Sequence, residues 1–297
     1  MATHNGAAYI PDQIRSLLAQ SYDNLSLYVR DDGSSDQTVA VLWKTLERSN
    51  RRVPFELIEG EHVGLPHGYF YLLQHVSPSH DYYAFADQDD IWAPTKIEHA
   101  LELLRPLEDG RPLLYFCRQR FVAHDLTPLG YSPLVSNPGL ANALVQNPAK
   151  GCTQVFNRAA LEILREKLPE GVLWHDWWVY LTVAALGTVM FDPRVEIDYR
   201  VHKNNTVGEA LSGLKKAGRR VERLVRHGGY AARSHAQIFL SIHGRRLDPS
   251  RKAFIERFVG PHRTFKERLR YACTTSVSRL DRWENAVLRF LIALDRY

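Results

Sequence analysis

Three carboxylates crowd into the four residues Asp87-Gln88-Asp89-Asp90, directly after the apolar run Tyr82-Tyr83-Ala84-Phe85-Ala86. Like charges this close repel, and something positive must offset them. Hard divalent cations such as Mg2+ or Mn2+ take oxygen ligands, keep several waters and bridge to phosphates. The spacing lets one carboxylate reach a metal while another reaches a sugar or a water. The plain alternative is a solvated acidic turn, with Asp90 capping the helix that opens near Pro94. A second acidic turn, Asp31-Asp32-Gly33-Ser34-Ser35-Asp36, follows Leu25-Ser26-Leu27-Tyr28-Val29-Arg30. Its residues suit a bend with Asp36 capping the next helix; alternatively, a carboxylate there accepts a hydrogen bond from a base N–H. Trp174-His175-Asp176-Trp177-Trp178 sets an acid between aromatics at the start of an apolar helix. Desolvation raises such a carboxyl and a helix N-terminus lowers it, a balance that suits a general base near neutral pH. An N-cap aspartate among core tryptophans is the competing reading. His202, in a polar loop, is either a metal ligand or a hydrogen-bonded structural residue.

The elements that must position these groups alternate strand and helix. Residues 8–20 put Ile10, Ile14, Leu17 and Leu18 on one helical face, with Pro11 suited to the first turn. The strand at 25–30 precedes a helix through Val39, Leu42 and Leu46, and Phe55 to Ile58 reads as a third short strand. Gly64 to Val76 is helical, and a helix from Pro94 runs through Ile97, Leu101 and Leu104. Such alternation predicts a mostly parallel sheet with helices on both faces, binding ligands at the carboxyl ends of its strands. Both acidic turns then share one rim. Further on, Leu113 to Cys117 is an apolar strand, 128–148 is loop-rich, and Arg158 to Leu168 and Asp176 to Leu186 are helices. Thr188 to Phe191 and Val195 to Tyr199 read as two strands.

The chain has 297 residues, 45% apolar and 24% charged, with 11% aromatic, which excludes a disordered protein. No run approaches the roughly 20 apolar residues of a spanning helix. Cys117, Cys152 and Cys273 are too few and scattered for a disulfide framework and fit a reducing cytoplasm. Met1 to Gly6 reads as a polar turn, not a signal peptide. The net charge of +5 hides an asymmetry: residues 209–297 carry 20 basic against 8 acidic residues, so residues 1–208 are net negative. This sets an expected boundary near Gly208, with a helix-prone basic region beyond it. There Lys215, Lys216, Arg219, Arg220, Arg223 and Arg226 recur at about one helical turn. Such a face is either a solvated helix or a contact with anionic lipid. The region shows neither the aromatics nor the module expected of a nucleic-acid binder, so no nucleic acid is expected as a partner.

Thr3-His4-Asn5-Gly6, the acidic turn at 31–36, Asp87-Gln88-Asp89-Asp90-Ile91-Trp92, His175-Asp176-Trp177-Trp178 and Tyr199-Arg200-Val201-His202-Lys203-Asn204-Asn205 together resemble, in order, the motifs of family 2 glycosyltransferases. The last three look most like the bacterial rhamnosyltransferase branch. The resemblance covers roughly residues 1–208 and implies an α/β GT-A fold there; residues 209–297, by their own composition, read as a basic helical extension. It implies that Asp32 binds the nucleotide base and that Thr3 and Asn5 lie in the first nucleotide-contacting loop. Asp87 and Asp89 match the Asp-x-Asp signature, Asp87 toward the nucleotide-sugar and Asp89 toward Mn2+ or Mg2+. Asp176 matches the catalytic base, His202 a late ligand to metal or diphosphate, and Gly151-Cys152-Thr153 a loop lining donor sugar or acceptor. Family members usually carry an apolar strand just before the first motif. Here Met1 falls at that strand's end, so the expectation is either a start lying upstream or a truncated copy.

The expected reaction is inverting transfer of a sugar from a nucleotide diphosphate donor, dTDP-rhamnose or a UDP-sugar. The expected acceptor is a hydroxyl of a saccharide or lipid-linked molecule in cell-surface polysaccharide synthesis. The expected location is cytoplasmic, with peripheral contact at the inner face of the cell membrane. The alternatives are a nucleotidyltransferase, for which Gly6-Ala7-Ala8-Tyr9 is a poor phosphate loop, and an inactive homologue acting as a binding protein.

Overall fold

The computed structural model describes residues 1–202, 229–261 and 264–297. The basic run at 215–226 and the expected boundary near Gly208 lie outside these residues.

Two sheets organise the chain. In the first, β1 (Ala2–Thr3), β2 (Leu27–Asp31) and β3 (Phe55–Glu59) are parallel and hydrogen-bonded in that order. Helices α1 (Ile10–Leu18) and α2 (Thr38–Glu47) connect them. Pro11 sits in the first turn of α1, where its missing N–H costs nothing. Ile10, Ile14, Leu17 and Leu18 are all buried, as the helical spacing predicts. Helix α3 (His67–His75) follows, then β4 (Tyr82–Ala84), β5 (Ile91–Trp92) and α4 (Lys96–Leu104).

The second sheet departs from the parallel expectation. Its order is β4, β8 (Val155–Asn157), β6 (Leu113–Val122), β9 (Thr188–Arg200), β5, with β7 (Pro128–Tyr131) also on β6. Only β6 and β9 are parallel; the other pairs are antiparallel. The two strands expected at 188–191 and 195–199 are one. Cys117 pairs with Asp192 and Arg118 with Val195, so Pro193 and Arg194 bulge out of the ladder. Pro193 has no N–H to donate, which breaks the register without ending the strand.

β6 shows how the layers assemble. Leu114 and Phe116 join one apolar cluster with α3, α5 (Leu140–Ala143), α6 (Arg158–Glu166) and α7 (His175–Leu186). Leu113, Tyr115 and Cys117 point to the other face, into a cluster with α1, α2 and α4. A strand covered on both faces has no reason to alternate with polar residues, hence its unbroken apolar run. The first cluster also takes in Ala232, Ala236 and Phe239 of α8 (Gly229–His243), and Ile255 and Phe258 of α9 (Pro249–Val259). Tyr271 of α10 (Phe265–Thr274) and Leu288 and Leu291 of α11 (Arg282–Ala293) complete it. The C-terminal helices therefore share a core with α7. Among the described residues, no helix is long and apolar enough to cross a membrane.

Candidate active site

The Thr3–Gly6 loop lies between the two acidic turns and ties them together. Thr3 donates to Gln88 Oε1 at 2.6 Å, His4 N–H donates to the same oxygen at 2.9 Å, and Gln88 Nε2 returns a bond to His4 O. Asn5 adopts a left-handed φ of 48°. Its Oδ1 accepts from Ser35 N at 2.8 Å, and its N–H donates to Ser34 Oγ. Both acidic turns thus meet at one rim, as the strand–helix pattern predicts. The side chains of Thr3 and Asn5 are engaged in holding the loop, and Thr3 is buried.

Asp32 is saturated with donors. Val63 N–H and Gly64 N–H donate to it, the latter at 2.7 Å, and Arg30 and His62 lie at 2.5 and 2.9 Å. Burial alone would raise this carboxyl, but the two backbone N–H groups, Arg30 and His62 hold it below its usual value. Asp31 braces the turn by accepting from Ser34 N and Ser34 Oγ. Asp36 does not sit at the N-cap of α2, which is Gln37; its carboxylate accepts instead from Thr38 N and Ala7 N.

The Asp87–Asp90 turn is the opposite. Asp87 accepts from Tyr69 OH at 2.5 Å. Burial, reinforced by the charges of Asp89 and Asp176, pushes its carboxyl up to about 6 despite that bond. Asp90 is buried rather than a solvated cap, and the N-cap of α4 is Thr95. Burial, then Asp89 and Asp87, push Asp90 well above the usual carboxylate range. One Asp90 oxygen accepts from Arg200 N at 3.3 Å and the other has no hydrogen-bond partner. Asp89 Oδ2 lies 2.7 Å from His202 Nε2, and Tyr9 stacks on the His202 ring at 5.0 Å. Arg200 fixes the backbone here by donating to Asp89 O and to Asp12. Behind the turn, the Lys96 ammonium sits 3.1 Å from the centroid of the Trp92 ring, and burial lowers it to about 8.

Asp176 occupies the first turn of α7, whose N-cap is Trp174, so it is not an N-cap residue. Its oxygens accept from Trp177 N at 2.7 Å and Gly151 N at 3.1 Å. The Gly151–Thr153 turn is buried, and its contribution here is that backbone donor. A Cβ on Gly151 would lie 2.9 Å from His175 Nε2, so a side chain there would displace the aromatic support. His175 stacks on Tyr69 at 3.9 Å, and burial lowers it to about 4, leaving it neutral at neutral pH.

A divalent cation fits the oxygen and nitrogen donors of Asp89 and His202 beside underpartnered carboxylates. Asp87, Asp90 and Cys152 also bring ligand-type atoms within 4.8 Å of one another. Burial keeps the Cys152 thiol protonated, however, and a thiol does not bind hard cations.

Sequence reasoning missed Tyr69, Arg200 and the structural duty of Gln88. Tyr69 acts from a distant chain position and carries no local signal, whereas Gln88 and Arg200 lie inside motifs that the sequence already marks, with no sign there of what they bond.

Residues 1–127 match the model of Glycosyl transferase family 2. The chain is similar to the dTDP-rhamnosyl transferase RfbG of Shigella flexneri, 25% identical over 228 residues, covering 71% of this chain and 75% of that protein. It is also similar to an uncharacterized glycosyltransferase of Rickettsia typhi, 27% identical over 223 residues, covering 72% and 66%. The fold resembles that of S. aureus TarS 1-349, solved with UDP-GlcNAc (TM-score 0.60, 13% identity, 99% of this chain and 78% of that one). It also resembles the mannosyltransferase PcManGT of Pyrobaculum calidifontis, solved with GDP-Man and Mn2+ (TM-score 0.54, 17% identity, 99% and 84%). Residues 1–127 are thus similar to glycosyltransferase family 2, and the chain is built on the GT-A fold.

Proposed function

We propose that the protein transfers a sugar from a nucleotide diphosphate donor to a hydroxyl of a saccharide or lipid-linked acceptor, inverting the anomeric centre, in cell-surface polysaccharide synthesis. The donor is dTDP-rhamnose or a UDP-sugar. The similarity to a dTDP-rhamnosyl transferase supports the first. The observation that carries the reading is the convergence of Asp87, Asp89 and Asp176 on one rim, with Asp89 held by His202.

Asp32, locked by Arg30 and two backbone donors, offers a fixed negative group to the base of the nucleotide. Thr3 and Asn5 shape the loop facing it, and Asp87 orients the donor sugar. Asp89 and His202 would hold Mn2+ or Mg2+. A divalent ion there supplies Lewis-acid stabilisation of the leaving diphosphate. Asp176, kept in place by Gly151 N, takes the proton of the acceptor hydroxyl as that oxygen attacks the anomeric carbon from the face opposite the diphosphate. The protein works at the inner face of the cell membrane, where the basic run at 215–226 meets anionic lipid.

The test is release of nucleoside diphosphate from a panel of donors with Mn2+. Turnover of one donor, falling by about 100-fold or more in Asp176→Asn, supports the reading. A variant as fast as the wild type rejects Asp176 as the base.

A further inference from the structure

Helices α10 and α11 are an antiparallel pair: Arg268 of α10 donates to Ala293 O, and Arg289 of α11 donates to Ala272 O. Their inner sides supply Tyr271, Ala272, Leu288, Leu291 and Ile292 to the core. Their outer sides are also apolar. On α11, Trp283, Val287, Phe290 and Leu294 follow one another at intervals of four, three and four residues, one stripe of the helix. Trp283 is 67% exposed and Phe290 63%. On α10, Phe265 and Leu269 are likewise exposed and one turn apart. In each helix the exposed stripe lies on the same rotational side of the contact row formed by Arg268/Ala272 and Arg289/Ala293. In an antiparallel pair this brings the two stripes onto one face, which therefore carries five exposed large apolar side chains. Soluble surfaces scatter such residues singly; a cluster marks a contact site.

Over residues 264–297, the two helices and the segments flanking them, basic residues outnumber acidic ones. Lys266, Arg270, Arg282 and Arg296 are all exposed. The neighbouring acids are engaged: Asp281 caps α11, Glu267 closes the capping box of α10, and Asp295 lies 3.9 Å from Arg268. Two occupants suit an apolar face. A second copy docked about a two-fold axis would bring these like-charged segments together, which opposes association. An anionic bilayer surface complements both features, taking tryptophan, phenylalanine and leucine at the headgroup boundary and lysine and arginine among the phosphates.

We infer that the outer face of α10 and α11 is a membrane-docking surface for anionic phospholipid, inserting Phe265, Leu269, Trp283, Phe290 and Leu294 between the headgroups. Its purpose rests on the reading above, a transferase brought to a lipid-linked acceptor, but its geometry is independent of the chemistry. The basic run at 215–226 contains no aromatic residue and so offers charge alone.

The test is sedimentation of the full chain with phosphatidylglycerol vesicles, with phosphatidylcholine vesicles as the neutral arm. The wild type sediments with the anionic vesicles, and a Trp283→Ser/Phe290→Ser variant loses at least about tenfold in partition while its charge is unchanged. In parallel, brominated anionic lipid quenches tryptophan fluorescence in the wild type, and Trp283→Phe removes most of that quenching while conserving the fold. Release of nucleoside diphosphate in solution stays at the wild-type rate in both variants, so failure of docking and failure of catalysis are distinguishable. Undiminished sedimentation of the double variant overturns the inference. So does a wild-type dimer in light scattering that the double variant turns into a monomer.

Discussion

The two acidic turns on the rim use the same residue type for opposite ends. Asp32 has about as many donors as a carboxylate can accept: two backbone N–H groups, a guanidinium and an imidazole. Its position and charge are fixed by protein donors before any ligand arrives. Asp87 and Asp90 have few donors for three neighbouring carboxylates, and both are pushed upward. That turn is short of donors, and the proposed divalent ion would supply the missing positive charge. A count of aspartates does not separate the two cases; a count of donors within reach of each oxygen does.

The sharpest way to break this contrast is Asp89→Asn. Loss of the charge that faces His202 should lower donor turnover by roughly 1,000-fold, about 4 kcal/mol of barrier, with the thermal melt barely changed. Steady-state release of nucleoside diphosphate and calorimetry check both halves. Asp32→Asn should do its damage to the fold. Arg30 is buried and would lose its counter-charge, at a cost of about 3 kcal/mol in denaturant unfolding.

The pH dependence of stability sharpens the contrast further. The Asp87 carboxyl sits at about 6 in the folded protein against an ordinary 3.8. Between those values the folded chain keeps a proton that the unfolded chain has lost. Asp87 therefore makes stability fall as pH rises from about 4 to about 6, and its penalty is complete above that range. Asp32 has the opposite sign: its stabilising charge is present above its ordinary value and lost as pH falls through its lower folded value. Asp87→Asn should raise metal-free stability at pH 8 by about 1–2 kcal/mol and flatten the slope between pH 4 and 6, measured by urea unfolding at a series of pH values. Asp90→Asn should do least. Its burial already favours the neutral acid, so exchange for a neutral amide should change stability by less than about 1 kcal/mol.

Much of this was legible in the chain. The helical spacing of Ile10, Ile14, Leu17 and Leu18 gives α1, and the acidic runs mark the rim because turn chemistry is local. The antiparallel pairing of the second sheet was not legible, since β4, β6 and β8 are apolar runs whose partners lie far along the chain. Nor was the continuity of β9 through Pro193, a residue that reads as a strand end. At the site, Tyr69 meets Asp87 only because α3 packs beneath the strand tip, and Arg200 reaches Asp12 across 188 positions. The Trp283–Phe290 stripe is visible as periodicity, but a helix apolar on two sides reads simply as core until burial separates them.

The most direct measurement is the thermal shift produced by Mn2+ together with UDP or dTDP, compared between the wild type and Asp89→Asn. If the strand tip is completed by a divalent ion shared with a diphosphate, the wild type melts several degrees higher with metal and nucleotide than with nucleotide alone, and the variant gains nothing from the metal. An equal metal-dependent shift in both proteins, or none in the wild type with either nucleotide, contradicts it.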